Sequence, residues 1–217
     1  MALTERAFEL LHQLTENNNR EWFHANKDEF KSEVFQPFEQ VLEAISAKLA
    51  GTAIPFAGCE HTMFRMNRDV RFSKDKSPYK TSVSGLMTPS GAKSEDAGVI
   101  YLCLDAFGGF VAGGFHNPDG PNLTKMRDQI VARPEAFKKL VASLQSSGLE
   151  LETDGALKRV PRGYEAYAEA SCAEALKLKS YVVRRDLTVT DWEAGDVTDI
   201  TVGFSSWVVE LIEFFES

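Results

Sequence analysis

The chain has 217 residues, 43% hydrophobic and 26% charged, with a formal net charge of −8. This is the composition of a folded globular protein, long enough for one good-sized core, and a single domain over 1–217 is the simplest reading. No run approaches the ~20 apolar residues of a membrane helix, and the start, Met1-Ala2-Leu3-Thr4-Glu5-Arg6, lacks a basic region followed by an apolar one. Cys59, Cys103 and Cys172 are too few and too widely spaced for a disulfide framework. A reducing, cytoplasmic location with no membrane partner is therefore expected.

Taken along the chain, residues 4–16 carry Ala7, Leu11 and Leu14 at helical spacing, with Thr4 as N-cap. Asn17-Asn18-Asn19 stops that helix and opens the next, because Asn caps and turns well but propagates a helix poorly. A long helical pattern over 20–50 follows, kinked or divided at Pro37, with an apolar stripe through Phe30, Val34, Phe38, Val41, Leu42, Ile45 and Leu49. The period then changes to two. Phe64, Met66, Val70 and Phe72 alternate with Arg65, Asn67, Asp69 and Arg71, which predicts a strand over 64–72. Residues 82–89, 97–105 and 109–116 read as further strands with short connections, hence an antiparallel meander. Gly108-Gly109 and Gly113-Gly114 match no phosphate-binding loop; they mark a tight hairpin with close backbone approach. Helices are expected over 121–132 and after Pro134, a strand over 180–188, and a last helix capped by Ser205 or Ser206 and carrying Trp207 to Phe215. Helices around a block of strands make an α+β fold, with an antiparallel sheet packed against N-terminal, middle and C-terminal helices.

Charge is segregated along this chain. Residues 65–80 hold Arg65, Arg68, Arg71, Lys74, Lys76 and Lys80 against Asp69 and Asp75, a net +4. Residues 158–185 also sum to +4, so these two segments in a −8 chain leave −16 for the rest. From 186 to 217 there are eight acids and no base. The basic segment 65–80 is the candidate anion site: arginines supply planar forks and lysines point charges. Asp69 and Asp75 orient the cations, Asp69 standing between Arg65 and Arg71 on one strand face. Arg68, on the otherwise apolar face, requires a partner if buried. Arg162 or Arg159, in Lys158-Arg159-Val160-Pro161-Arg162-Gly163-Tyr164, is expected to converge on this cluster. The competing reading of both segments is an internal salt-bridge network with solvated loops.

The histidines (His12, His24, His61, His116) are scattered, so no metal site is expected and no motif asks for a cofactor. There is no nucleophile elbow, and no catalytic residue is assigned.

Asn18-Asn19-Arg20-Glu21-Trp22-Phe23 with Asn26-Lys27, the run from Arg68 to Lys80, Gly113-Gly114 to Pro118, Arg127, Pro161-Arg162-Gly163-Tyr164 and Leu176-Lys177 together resemble one family. It is a family of conserved hypothetical proteins, found mostly in bacteria and catalogued as a domain of unknown function. The resemblance spans nearly the whole chain. It implies a single-domain protein of about this length and implies no activity. His116 stands where relatives more often carry another aromatic residue, and the stretch 166–175 is less regular than the family pattern.

Three functions fit these residues. The first is binding of, with or without catalysis on, a phosphorylated or other anionic small molecule through 65–80. The second is a nucleic-acid module with Phe72, Tyr79 and Tyr164 stacking on bases, against which the acidic total stands. The third is a structural or interaction protein that needs no ligand. The oligomeric state is left open.

Overall fold

The computed structural model describes residues 2–93 and 98–216. Helix α1 (Glu5–Glu16) forms where the apolar period required it, burying Ala7, Phe8, Leu10, Leu11 and Leu14. Thr4 holds the N-cap position, but its hydroxyl donates to Glu33 (3.0 Å) and takes nothing from the first turn. Asn19 does cap α2 (Arg20–Ala25), accepting from the Trp22 N–H at 2.9 Å. The helical pattern over 20–50 is divided earlier than Pro37. After α2 come α3 (Lys27–Phe30), a π-helical turn over Lys31–Phe35, and α4 (Gln36–Leu49). Pro37 lies in the first turn of α4, where its missing N–H costs little.

Strands β1 (Ser82–Met87), β2 (Val99–Asp105), β3 (Phe110–Phe115) and β4 (Tyr181–Asp186) follow one another across a four-stranded antiparallel sheet. The fold is therefore α+β with a central meander. The expected strand over 97–105 has its first residue outside the described residues. Between β3 and β4 lie α5 (Gly120–Ala132), α6 (Pro134–Ser146) and α7 (Ala173–Lys177); after β4 come α8 (Val189–Ala194) and α9 (Val197–Glu216). Ser205 and Ser206 cap nothing, because α9 begins well before them. Its buried stripe starts at Val197 and passes through Phe204. Helix α8 is held by a reciprocal cap: Thr188 Oγ1 accepts from the Asp191 N–H, and Asp191 Oδ2 accepts from the Thr188 N–H at 2.7 Å. No helix among the described residues is long and apolar enough to cross a membrane.

Backbone contacts divide the chain into two compact units. One takes the described residues of 1–95, 100–111 and 186–204; the other takes those of 96–99, 112–185 and 205–217. In the first, Leu11, Leu14, Phe38, Leu42 and Ile45 are fully buried with Ile100, Leu102 and Leu104 of β2. Each such side chain contributes roughly 1.5–3 kcal/mol. Gly85 of β1 lets α4 pack closely, since a Cβ there would lie 2.8 Å from Leu42 Cδ1. Trp192 stacks on Phe38 (6.0 Å between centroids) and donates its indole N–H to Gly108 O at 2.7 Å. In the second unit, Tyr181 packs on Phe215 (4.8 Å) and Phe137 on Phe214 (5.4 Å).

The β1–β2 register sets the two faces of that hairpin. Ser82 pairs with Asp105, Ser84 with Cys103 and Leu86 with Tyr101, while Val83, Gly85 and Met87 alternate to the α4 side with Leu104, Leu102 and Ile100. The glycines between β2 and β3 provide the close approach expected of them. Gly109 has φ +99°, and a Cβ there would sit 2.1 Å from Cys103 O. Gly109→Ala should therefore destabilise the protein by about 1–3 kcal/mol, lowering the melting midpoint by several degrees at roughly 2–4 °C per kcal/mol. Gly120→Ala, with open space around its Cβ position, should melt like the parent. Equal midpoints for all three proteins in thermal denaturation would show that the hairpin needs no glycine at 109.

Candidate functional site in the basic loop

The segment 64–72 does not form the strand its alternation predicted. Only single bridges tie it down, Met63 to Gly85 and Asn67 to Tyr79. Two causes are visible. Asp69 Oδ1 accepts from the Arg71 N–H (3.2 Å), which withdraws that donor from any ladder. The apolar face finds a core only at its start: Met66 is buried, but Val70 is half-buried and Phe72 is 95% exposed. The chain instead closes on itself, with the Arg68 N–H donating to Pro78 O (2.9 Å) and the Lys80 N–H to Met66 O (2.7 Å). Asn18 locks the closure by gripping Tyr79 through both backbone groups, donating to its O (3.0 Å) and accepting from its N–H (3.1 Å). The Tyr79 ring stacks on Phe23 with centroids 4.1 Å apart.

Within this loop the cations have distinct fates. Asp69 pairs with Arg71 alone, accepting from Nε (3.0 Å) and Nη2 (2.7 Å) in a fork that is exposed on the surface. Arg65 is exposed and acts on Asp69 through space. Arg68, half-buried, finds the partner its position demanded: Nη1 donates to Asp75 Oδ2 and to Ser77 O (3.3 Å). Among the described residues its Nε and Nη2 have no acceptor. Lys76 donates to Val70 O (2.9 Å), and Lys74 is exposed. Lys80 stands over the Phe64 ring, 5.1 Å from its centroid.

Asp75 is the organiser. Its Oδ1 accepts from the Ser77 hydroxyl (2.7 Å) and the Ser77 N–H (2.9 Å), and its Oδ2 from Arg68. The Ser77 hydroxyl, then its N–H, then the guanidinium hold the carboxyl well below the usual carboxylate range. Lys80 is shifted downward, first by burial, then by the nearby Arg65 and Lys93 charges. Arg68, Asp75, Ser77 and Lys80 line one cleft of about 470 Å³ with Thr15, Asn18, Tyr79, Thr81 and Ser82. Two of the cations expected to share an anion thus share a cavity, and its rim is rich in hydroxyls. Thr15, Thr81 and Ser82 were not foreseen as lining groups. The triple Asn at 17–19 reads first as a helix cap and second as an anion- or amide-binding helix start.

Arg162 lies in the second compact unit, exposed in its loop. That loop is anchored by Tyr164, whose hydroxyl donates to Asp128 Oδ1 (2.6 Å) and whose burial beside that carboxylate pushes its phenol up to about 12. Of the three rings considered for stacking, Tyr79 and Tyr164 are buried and Phe72 is exposed. The described residues contain no group of three or more His, Cys, Asp or Glu side chains placed to hold a metal.

The architecture defines an α+β protein whose distinguishing feature is a self-closed basic loop beside a hydroxyl-rimmed cleft. The chain belongs to the family described as conserved hypothetical protein (DUF2461), which it matches over residues 6–214. No curated protein and no solved structure matches it.

Because the folded Asp75 binds a proton more weakly than the unfolded one, its anchoring of the loop is present above the ordinary carboxylate range and is lost as pH falls below it. The protection factor of the Ser77 amide should hold steady near neutrality and fall below about pH 4. Asp75→Asn should show the weakened protection already at neutral pH. Unchanged protection in that variant, measured by hydrogen exchange, would mean the bridge at 67 and 79 holds the loop unaided.

Proposed function

We propose that the cleft beside the basic loop binds a small anionic molecule, phosphorylated or otherwise acidic. The observation that carries this reading is the pairing of Arg68 and Lys80 on one cleft lined also by Thr15, Ser77, Thr81 and Ser82. Arg68 spends one nitrogen on Asp75 and Ser77 and keeps Nε and Nη2 free of partners among the described residues, a planar pair of donors suited to two oxygens of one anion. Lys80 adds a second positive charge on the same cavity. The hydroxyls favour a ligand with polar groups beyond the anion itself. A volume of about 470 Å³ falls in the range of small-molecule sites.

Arg65, Arg71, Lys74 and Lys76 play a secondary part. They give an otherwise acidic chain a local positive field, which raises the encounter rate of an anion. The nucleic-acid alternative draws little support from Tyr79 and Tyr164, whose rings are buried.

Thermal denaturation in phosphate, sulfate, sugar phosphates and nucleotides tests the reading. A ligand at a hundred times its dissociation constant adds about 2.7 kcal/mol, a rise of roughly 5–10 °C for a chain of this size. Arg68→Ala should abolish the rise while the variant keeps its circular dichroism. No rise from any anion in the parent protein would sink the proposal and favour a structural role for the loop.

A further inference from the structure

The face of the β1–β2 hairpin turned away from α4 carries reactive side chains that anion binding alone does not use. Ser84 and Cys103 face each other across the register, both buried. Tyr101, two residues along β2, sets its ring between Phe64 (6.1 Å) and Phe110 (5.7 Å). Over Phe64 stand two ammonium groups, Lys80 Nζ at 5.1 Å and Lys93 Nζ at 5.2 Å from the ring centroid.

The two lysines differ in what else holds them. Lys93 is exposed and donates to Met63 O. Lys80 is half-buried and, among the described residues, has neither a carboxylate nor a hydrogen-bond acceptor; the ring face is its contact. Burial, Arg65 and Lys93 each disfavour its protonated form, while the Phe64 face and negative charge at Cys103 act the other way. Lys80 also lines the cleft that holds Arg68, whereas Lys76 is tied to Val70 O outside it. A partly desolvated amine beside other cations is the setting in which lysine acts as a nucleophile at neutral pH.

We infer that Lys80 is a carbonyl-reactive amine, forming an imine with an aldehyde or ketone whose anionic group is held by Arg68. The second half of this statement rests on the anion-binding reading above; the first half does not. In the reaction, the Lys80 ammonium first releases a proton to water, and the neutral Nζ so formed donates its lone pair to the carbonyl carbon. A C–N bond forms and the C=O π pair moves to oxygen. Proton transfer from nitrogen to oxygen gives a carbinolamine, and loss of its hydroxyl as water leaves the imine. One carbonyl and one amine thus become one imine and one water, with no oxidant or reductant required.

The test uses the full chain, an anionic aldehyde (glyoxylate), a neutral one (propionaldehyde), cyanoborohydride to reduce any imine, and peptide mapping by mass spectrometry. The expected result is a dominant adduct on Lys80 with both probes, lost in Lys80→Arg while the melting midpoint is kept. Adducts spread evenly over the exposed lysines would overturn the inference, whether or not anions raise the melting midpoint. Arg68→Ala separates the two readings. Reduced labelling of Lys80 by glyoxylate but not by propionaldehyde supports both. Equal labelling by both probes in that variant keeps the reactive amine and removes Arg68 as the anion's holder.

Discussion

One amide side chain organises the basic loop. Asn18 takes both backbone hydrogen-bonding groups of Tyr79, as a neighbouring strand would, but it does so from the junction of α1 and α2. A side chain can satisfy one residue in this way and cannot extend a ladder, so the chain around 79 is fixed at a point and not along a line. The consequences follow outward from that point. Tyr79 turns its ring onto Phe23. Pro78, which has no N–H to give, offers its carbonyl to Arg68, and Lys80 gives its N–H to Met66. Those bonds bring Arg68 beside Asp75 and leave Lys80 over Phe64. The placement of the two cleft cations is thus inherited from a half-buried asparagine 61 residues before Tyr79, and leaving its backbone partners unpaired would cost about 1–3 kcal/mol.

The ion pairs of the loop explain its shape better than its stability. The Arg71–Asp69 fork is exposed, and pairs of that sort contribute little in water. Meanwhile Lys80, Arg65 and Lys93 sit close enough to raise one another's electrostatic cost. The Phe64 face returns only about 0.5–1 kcal/mol for each ammonium over it. A chain with 32 acidic residues had carboxylates to spare for these cations, yet among the described residues none pairs with Lys80. An arrangement that costs stability locally and is offset only in part by the ring face is the kind that a ligand's charge would relieve.

How much of this was legible in the sequence depended on whether one segment's own pattern decided its structure. Helices α1, α5 and α6 were readable because each buries a face at helical spacing, and strands β1 to β4 because short runs rich in Val, Ile, Tyr and Phe lie between turn residues. The glycines at 108 and 109 were readable for the same local reason. Residues 64–72 misled because alternation is evidence of a strand only when one face finds a core, and Phe72 finds solvent. The start of α9 was hidden by Thr198, Thr201 and Gly203, poor helix formers that tertiary burial overrode. Asp75 as partner of Arg68, Asn18 as clamp and Lys93 beside Lys80 had no local signature, because each depends on how distant or turned segments meet. Family membership over residues 6–214 was legible from motifs, and it carries no activity with it.

The salt-bridge reading of the basic segment and the anion-binding reading were framed as rivals, but the geometry of Arg68 lets both be true. A guanidinium has five donors in a rigid plane. Asp75 and Ser77 engage one nitrogen and so fix the plane's orientation. A side chain held that way loses little further freedom on binding, which is the usual advantage of a preorganised site. Asp75 is itself held by Ser77 as well as by Arg68, so its position does not rest on Arg68 alone. The internal network is therefore better understood as the scaffold of the cleft than as an alternative to it, and under the anion-binding proposal the carboxylate beside Arg68 would direct an anion to the side that Asp75 does not occupy.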